Sequence, residues 1–379
     1  MFKRNNNSFI AAVIIAVLLL SFITIYATAD AKETMSVSAR SAALYQPDTG
    51  RFIYSKNGKT RMPMASTTKI MTALLAIENT EQLDEAVPIA DEAIGTEGSS
   101  AYLREGDVLT MEELLYALLL QSANDAAVAI AYHIGGDIDG FSRLMNERAL
   151  ELGLIDTHFT NPHGLDDEEH YTTAEELALI AAEALNNETF REICSTYKKT
   201  LVTEERRRTY INHNKLLNLY DGAVGVKTGY TKRCGRCLVG AAERDGLRLV
   251  SVTLDAPSDW SDHKNMLDFG FDALERLTLA KVYEYSFDLP VADTDGKTVR
   301  VTNTEELSAI VDRGEHDITD AVNLPRLATL PVRTGEALGE VIFTVDGKEA
   351  GRVNLVAVED VKAEKEKQGF LDWFRGLFR

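Results

Sequence analysis

The segment Met64-Ala65-Ser66-Thr67-Thr68-Lys69 opens a long apolar run that continues to Ile77. The periodicity of this run predicts a helix over 66–77. If Ser66 lies at the helix start, Lys69 follows one turn later on the same face, so its amine can reach the hydroxyl. A serine hydroxyl is a weak nucleophile that needs a base, and a lysine buried among apolar residues can lose its charge and provide one.

Two further polar signals follow along the chain. Ser122-Ala123-Asn124 is a short polar break between two predicted helices, where helix capping is the alternative explanation. In Lys227-Thr228-Gly229 the lysine supplies a second cation, the threonine a hydroxyl for a substrate carboxylate, and the glycine room for a ligand beside the backbone. Each signal alone is weak. Together and in this order, S-x-x-K, S-x-N and K-T-G indicate a serine acyl-transfer site like that of penicillin-binding proteins and class A β-lactamases.

Predicted strands bracket a helical middle. Residues 66–200 are mostly helical in pattern, with capping boxes that begin at Thr110 and Thr173, and 262–277 is predicted to be a closing helix. This order predicts an α/β (α+β) fold, in which an antiparallel sheet carries flanking helices and a helical lobe. The strands of the two predicted hairpins are 42–46 with 51–56, and 238–243 with 247–254.

The N-terminus has the plan of an export signal. Lys3 and Arg4 precede an apolar run, and Ala27-Thr28-Ala29 has the small-residue pattern of a cleavage site. An uncleaved anchor is the alternative, because the run approaches the length of a membrane span. We therefore expect a signal peptide over 1–29, and a catalytic domain over 30–278 outside the cytoplasmic membrane.

The hydrophobic pattern of the sequence changes after the predicted catalytic domain. Short β-type runs at 282–287, 298–302, 341–345 and 352–358 predict a small all-β domain over 281–360. Residues 361–379 combine a charged linker with an amphipathic segment, which we expect to be a helix on the membrane surface. Docking of that helix on the protein's own core is the alternative. Its apolar face would hold Phe370, Leu371, Trp373, Phe374, Leu377 and Phe378.

Composition limits the possible partners. The 379 residues carry a formal net charge of −19, and phosphate binding needs a positive field, so nucleic acid is not expected as a partner. Three cysteines cannot form a disulfide framework. The pair Cys234 and Cys237 forms a C-x-x-C motif in a strand-like stretch, without the further ligands that zinc needs, and its role stays open. We expect no metal and no other cofactor.

With these motifs, the chain resembles low-molecular-weight penicillin-binding proteins, the serine D-alanyl-D-alanine carboxypeptidase family, over nearly its whole length. The segments Asn161-Pro162-His163-Gly164-Leu165 and Gly225–Thr231 are also similar to the family's pattern. The resemblance implies a penicillin-binding protein/serine β-lactamase-like fold. It also implies an exported enzyme that removes the terminal D-alanine from peptidoglycan stem pentapeptides and whose serine β-lactam antibiotics acylate.

The resemblance also implies a role for each motif residue. Ser66 would attack the scissile carbonyl, and Lys69 would take its proton. Thr228 would bind the terminal carboxylate. Some members of the family also use an arginine near the end of the strand after the K-T-G strand. The corresponding segment here, Asp255–Trp260, contains no arginine, and Arg248 lies at the start of that strand, too early in the sequence. Ser122, with Asn124 and Lys227, would relay a proton to the leaving amine and hold the peptide. The backbone N–H groups of Ser66 and Tyr230 would form the oxyanion hole. Gly229 completes the set of predicted substrate-binding residues.

Two other functions fit some of these residues. A serine β-lactamase would need a deacylating base, and 161–170 contains acids but no Glu-x-x-x-Asn pattern. A catalytically idle wall-binding protein would not need the complete set of motif residues. The carboxypeptidase is therefore the function that the sequence favours.

Overall fold

A computed structural model describes residues 35–202 and 207–362. The predicted signal peptide and the predicted amphipathic helix at the C-terminus lie outside these ranges. Among the helices that the two ranges contain, none combines the length and the apolar character of a membrane span.

Sixteen strands and eight α-helices make up the described fold. The strands are β1 (Ser41–Gln46), β2 (Arg51–Lys56), β3 (Ala86–Pro88), β4 (Val108–Thr110), β5 (Lys198–Val202), β6 (Arg207–Ile211), β7 (Ala223–Thr231), β8 (Gly235–Arg244), β9 (Leu247–Leu254), β10 (Leu274–Ala280), β11 (Ser286–Pro290), β12 (Thr298–Thr302), β13 (Leu307–Asp312), β14 (Ile318–Asn323), β15 (Ala337–Val345) and β16 (Lys348–Ala357). The helices are α1 (Lys69–Glu78), α2 (Met111–Leu120), α3 (Asn124–Gly135), α4 (Ile138–Glu151), α5 (Ala174–Asn186), α6 (Glu188–Ser195), α7 (Leu216–Leu219) and α8 (Asp259–Ala273).

The central sheet is antiparallel, in the order β2-β1-β9-β8-β7. Side chains alternate between its two faces, so neighbouring residues such as Leu238 and Val239 enter different cores. Val239 belongs to the large core of the helical lobe, whereas Leu238 packs in a smaller core with Met266 and Leu267 of α8. The predicted sheet with flanking helices and a helical lobe is confirmed, and β7 forms one edge of it.

Local signals explain where the helices begin. The predicted capping box at α2 is confirmed, because the Thr110 hydroxyl accepts from the Glu113 N–H and the Glu113 carboxylate accepts from the Thr110 N–H. At α5 only half of the predicted box forms. The Thr173 hydroxyl accepts from the Glu176 N–H, but the Glu176 carboxylate turns away and accepts from the N–H groups of 155 and 156.

The C-terminal part is a small all-β domain, as predicted. Its five-stranded sheet has the order β11-β12-β16-β15-β14, and β10 pairs with β13 beside it. Aliphatic residues such as Val301, Val341 and Leu355 form a core of their own.

Several predicted element bounds are wrong. The closing helix ends at Ala273, because Leu274–Ala280 pairs as β10 with β13, and this tertiary pairing overrides the helical pattern. The strand predicted at 282–287 begins at Ser286, after a turn in which Tyr283 has a positive φ of 63°. Strands β13 and β14, and the short pairs β3–β4 and β5–β6, were not predicted.

Candidate active site

The three sequence motifs meet in one cleft, beside the free edge of β7. The cleft has a volume of about 370 Å³, and its lining includes Ser66, Ser122, Thr228, Gly229 and Tyr230. Lys69, Asn124 and Lys227 lie behind this lining and are almost fully buried. The structure thus brings together all eight residues that the sequence singled out.

Ser66 lies in a turn that side chains hold in place. The turn is the 3₁₀ segment Ala65–Thr68, which directly precedes α1, and Ala65 has a positive φ of 48° that a residue with a Cβ seldom adopts. The Thr67 hydroxyl donates to the carbonyl of Met64 at 2.6 Å, and the Thr68 hydroxyl to that of Ala65 at 2.8 Å. These bonds keep the Ser66 hydroxyl at the cleft while the helix behind it is buried.

The Lys69 amine contacts three oxygens. Its Nζ lies 3.0 Å from Ser66 Oγ, 2.7 Å from Asn124 Oδ1 and 2.6 Å from the carbonyl oxygen of His163. The amide and carbonyl oxygens can only accept hydrogen bonds. A neutral amine has two N–H donors, which these two oxygens use, so its lone pair is left facing the Ser66 hydroxyl.

Burial and charge favour the neutral form of this amine. Lys69 is fully buried, and desolvation lowers its pKa well below the usual range. The positive charge of Lys227 lowers the pKa further, and the carboxylate of Asp125 opposes the shift. Both effects make Lys69 a better candidate for a proton acceptor than an exposed lysine, which keeps its charge.

Lys227 and Ser122 form a second amine–hydroxyl pair. Lys227 Nζ donates to Ser122 Oγ at 2.9 Å and to the carbonyl of Thr228 at 2.9 Å. Burial lowers the pKa of Lys227 to about 7. Lys227 can therefore exchange a proton near neutral pH, and the pKa of Lys69 is shifted in the same direction.

Helix capping does not explain the Ser122–Asn124 break. The residue that precedes α3 is Ala123, which makes no capping hydrogen bond from its side chain. Ser122 instead has a positive φ of 60°, and its hydroxyl points to Lys227. Asn124 donates to the carbonyl of Glu97 and accepts from Lys69, so it links the loop above the cleft to the amine.

Gly229 is required by close packing. A Cβ added there would lie 3.0 Å from the backbone nitrogen of Ser66 and 3.1 Å from the carbonyl oxygen of Met64. Strand β7 can therefore pass directly beside the Ser66 turn. Thr228 is half-buried beside Gly229, and Tyr230 is exposed at the mouth of the cleft.

The loop at 161–165 supplies a contact that motif analysis missed. Asn161 Oδ1 accepts from the N–H of Gly164 at 2.7 Å, and its Nδ2 donates to the carbonyl of Leu165 at 3.1 Å. This turn aims the carbonyl of His163 at Lys69. The segment 161–165 was noted in the sequence, but this contact could not be predicted from it. The contacting atom is a backbone carbonyl, which every residue type has.

Arg236 was also missed. It lies on β8 directly opposite Tyr230, lines the cleft and forms a 2.9 Å ion pair with the buried carboxylate of Asp259. Arg248, by contrast, pairs with Glu243 at 3.2 Å and is not among the cleft-lining residues. Arg236 lies between the two cysteines of the C-x-x-C motif, and its position at the cleft depends on the register of β8, which the sequence does not show.

Both of those cysteines are buried free thiols. Cys237 lies on β8 opposite Gly229, and Cys234 Sγ lies 3.3 Å from Asp166 Oδ1. Their mutual hydrogen bond, together with burial, raises the pKa of Cys237 well above its usual range. Cys237 is among the residues that line the cleft, and within the described ranges the two cysteines belong to no group of side chains that could hold a metal ion.

Comparisons with known proteins agree with this geometry. A family model described as D-alanyl-D-alanine carboxypeptidase matches residues 27–258, and one described as the C-terminal domain of penicillin-binding protein 5 matches 281–363. D-alanyl-D-alanine carboxypeptidase DacF of Bacillus subtilis is 32% identical and aligns over 97% of this chain and 96% of its own length. DacC of Escherichia coli is 30% identical over 89% of this chain and 88% of its own.

Solved structures show the same architecture. Penicillin binding protein 5 from Haemophilus influenzae has a TM-score of 0.64 at 26% identity and covers 86% of this chain and 98% of its own. The Streptomyces K15 DD-transpeptidase has a TM-score of 0.59 at 35% identity, covering 62% of this chain and 98% of its own. The predicted fold family is confirmed by these matches.

A test of the loop at 161–165 uses two glycines with similar backbones. Gly164 and Gly153 have φ values of 87° and 76°, so alanine is strained at both, but only at Gly164 would the new Cβ collide with the carbonyl of Ala65. Gly164→Ala should therefore displace the His163 carbonyl from Lys69. We expect at least a tenfold slower acylation by a fluorescent penicillin and a lower Tm than in Gly153→Ala. Equal effects of the two substitutions would show that the loop does not support the site.

Proposed function

Because the chain belongs to the D-alanyl-D-alanine carboxypeptidase family, we propose that Ser66 and Lys69 carry out the family's reaction here, the removal of the terminal D-alanine from peptidoglycan stem pentapeptides. The predicted enzyme class, a serine hydrolase of this family, is confirmed by the family match and the relatives. The observation that carries the residue assignment is the contact set of Lys69, whose lone pair faces Ser66 when the amine is neutral.

Acylation follows from that contact. Ser66 Oγ attacks the carbonyl carbon of the D-Ala-D-Ala bond while its proton passes to Lys69 Nζ. The developing oxyanion accepts from the N–H groups of Ser66 and Tyr230. Losing one such donor typically costs roughly a hundred- to a thousandfold in rate.

The second amine–hydroxyl pair completes the reaction. The leaving D-alanine nitrogen needs a proton, and the Ser122 hydroxyl can give one and regain it from Lys227, 2.9 Å away. Asn124 holds the peptide and fixes Lys69, and Thr228 offers its hydroxyl to the terminal carboxylate. Water then attacks the acyl carbonyl and gives up a proton, which restores the charge of Lys227. The bond to Ser66 Oγ breaks, the Ser66 oxygen regains its proton from Lys69, and the shortened peptide leaves.

The same serine would open a β-lactam ring. The amide of the ring presents a carbonyl to Ser66 as the peptide does, so β-lactam antibiotics would form a covalent acyl-enzyme. The β-lactamase alternative is less favoured, because 161–170 has no Glu-x-x-x-Asn pattern and, within the described ranges, neither Ser66 nor Lys69 has a direct hydrogen bond to an acid. Asp166 is hydrogen-bonded to Thr231 at 2.9 Å instead.

The cellular setting rests on the sequence. A substrate in the peptidoglycan requires an exported enzyme, and the predicted signal peptide over 1–29 supplies the route. We further propose that the amphipathic segment within 361–379 holds the enzyme on the outer face of the cytoplasmic membrane. The division into a catalytic domain over 30–278 and a β domain over 281–360 stays a prediction.

An arginine in place of Lys69 tests whether the site needs a proton acceptor or only a positive charge. Lys69→Arg keeps a cation, but a guanidinium does not lose its proton, so D-alanine release from diacetyl-Lys-D-Ala-D-Ala should fall by roughly a hundred- to ten-thousandfold. Ser66→Ala should abolish it. Lys199→Arg is the matched control, because Lys199 lies against the ring of Tyr116 and not in the cleft, and its activity should be unchanged.

The wild-type pH profile follows from the lowered pKa of Lys69. The active form has a neutral amine, so the rate of D-alanine release should fall as the pH is lowered through that pKa. Lys227 must be protonated to return a proton to Ser122, so the rate should also fall as the pH rises above the Lys227 pKa of about 7. A rate of D-alanine release that does not fall as the pH is lowered would contradict this prediction. A Lys69→Arg protein with the wild-type rate, or an active Ser66→Ala protein, would contradict the residue assignment.

The membrane proposal has a separate test. A protein without 370–379, with its signal peptide removed, should keep the wild-type rate of D-alanine release but leave the membrane fraction after ultracentrifugation. A deletion protein that still pellets with membranes would rule out the proposed anchor.

A further inference from the structure

The cleft carries the opposite charge to the rest of the molecule. The chain has a formal net charge of −19, yet the described residues that line the cleft include the cations Lys215 and Arg236, with Asp259 as the one carboxylate among them. That carboxylate is paired with Arg236. A cleft of this charge suits a substrate end that carries a negative charge.

Arg236 is held rather than free. Its Nη2 lies 2.9 Å from Asp259 Oδ2, and Asp259 is only 3% exposed. The other carboxylate oxygen of Asp259 accepts from the N–H of Trp260 at 3.0 Å, and the guanidinium carbon lies 5.8 Å from the centre of the Trp260 ring. The backbone is fixed as well, since the Arg236 carbonyl accepts from the N–H of Ala256 at 2.9 Å.

The guanidinium nevertheless keeps donors for a ligand. A guanidinium has five N–H donors in a planar fork, and the ion pair with Asp259 uses only one side of it. The Arg236 side chain is 45% exposed and lines the same cleft as Ser66. A buried acid thus holds a partly exposed base at the cleft, as expected where a charged group must be kept in position for an anion.

The sheet register places this guanidinium near Thr228. Arg236 lies opposite Tyr230, and Thr228 lies two residues earlier on β7, so the Thr228 and Arg236 side chains project from the same face as diagonal neighbours. Such neighbours lie about 7–8 Å apart at the backbone, a gap that a carboxylate between a hydroxyl and a long arginine side chain would fill. The carboxylate of a C-terminal residue lies only one residue, ~3.5 Å, beyond the scissile bond at Ser66.

We propose that Arg236, positioned by Asp259 and Trp260, binds the C-terminal carboxylate of the substrate together with Thr228 and makes the enzyme specific for a free carboxyl end. The inference rests on the proposed function and adds the residue that selects the substrate end. Arg236 is a binding residue in this assignment, whereas Asp259 and Trp260 are positioning residues.

The test compares two substrates that differ only at the end in question. These are diacetyl-Lys-D-Ala-D-Ala and its C-terminal carboxamide, and kcat and KM are measured separately for each. Arg236→Gln should lower kcat/KM for the acid by roughly ten- to a hundredfold, because a charge-assisted hydrogen bond is lost. The carboxamide, which has no charge to bind, should be hydrolysed at the wild-type rate. That unchanged rate also shows that the variant is folded.

Three further variants sharpen the result. Arg236→Lys keeps the charge without the planar fork and should recover part of the preference for the acid. Asp259→Asn should weaken the preference through a higher KM for the acid. Arg233→Gln removes one charge from the same β7–β8 turn, but Arg233 does not line the cleft, so the preference should stay at the wild-type value.

The outcomes distinguish this inference from the function on which it rests. An Arg236→Gln protein that keeps the wild-type ratio of acid to carboxamide, or loses both activities equally, would overturn the assignment. So would an equal loss in Arg233→Gln, which would point to diffuse charge. A wild-type protein that hydrolyses neither substrate would overturn the proposed function, and the assignment with it.

Discussion

The site depends on the burial of a lysine among oxygens that can only accept. Lys69 is fully buried, and two of its three partners, Asn124 Oδ1 and the His163 carbonyl, can only accept hydrogen bonds. Charging the amine in this place costs solvation free energy, and Lys227 adds repulsion. The neutral amine satisfies both acceptors with its two hydrogens and presents its lone pair to Ser66. Nucleophile activation is thus built into the packing of the fold.

Much of the surrounding structure serves to keep that arrangement. The strained turn at Ala65, the positive φ of Ser122 and the close passage of Gly229 beside Ser66 bring three separate segments to one amine–hydroxyl network. Such sparsely populated backbone conformations cost free energy, and they persist only where contacts with the surrounding structure hold them in place. Here the neighbours are the helical lobe on one side and the edge strand β7 on the other.

The sequence predicted the parts of the site that have a fixed spacing. Ser66 and Lys69 are one helical turn apart, and hydrophobic periodicity placed both at a helix start, so their proximity followed from local geometry. The meeting of Ser122 with Lys227 could not be derived from spacing, because it depends on how β7 packs against the helical lobe; the order of the motifs suggested it. The predicted strands and the capping box at Thr110 could be derived from the sequence, because local patterns decide them.

Contacts made across the fold escaped prediction. The His163 carbonyl acts through its backbone, and Arg236 gains its place at the cleft only through the register of β8 and the ion pair with Asp259. The helix predicted to run to 277 ends at Ala273 for a similar reason, since the partner strand β13 lies more than thirty residues further along the chain. Local propensity determines the secondary structure of a segment only where no distant strand competes for its backbone hydrogen bonds.

Activation of Ser66 by a neutral Lys69 can be followed through the covalent product that it forms. The intact mass of the wild-type and Lys69→Arg proteins is determined after incubation with benzylpenicillin at neutral pH, and any adduct is located by peptide mapping. The account predicts a single adduct on Ser66 in the wild type and none in Lys69→Arg over the same time. An adduct on another residue, or equal labelling of the two proteins, would contradict it.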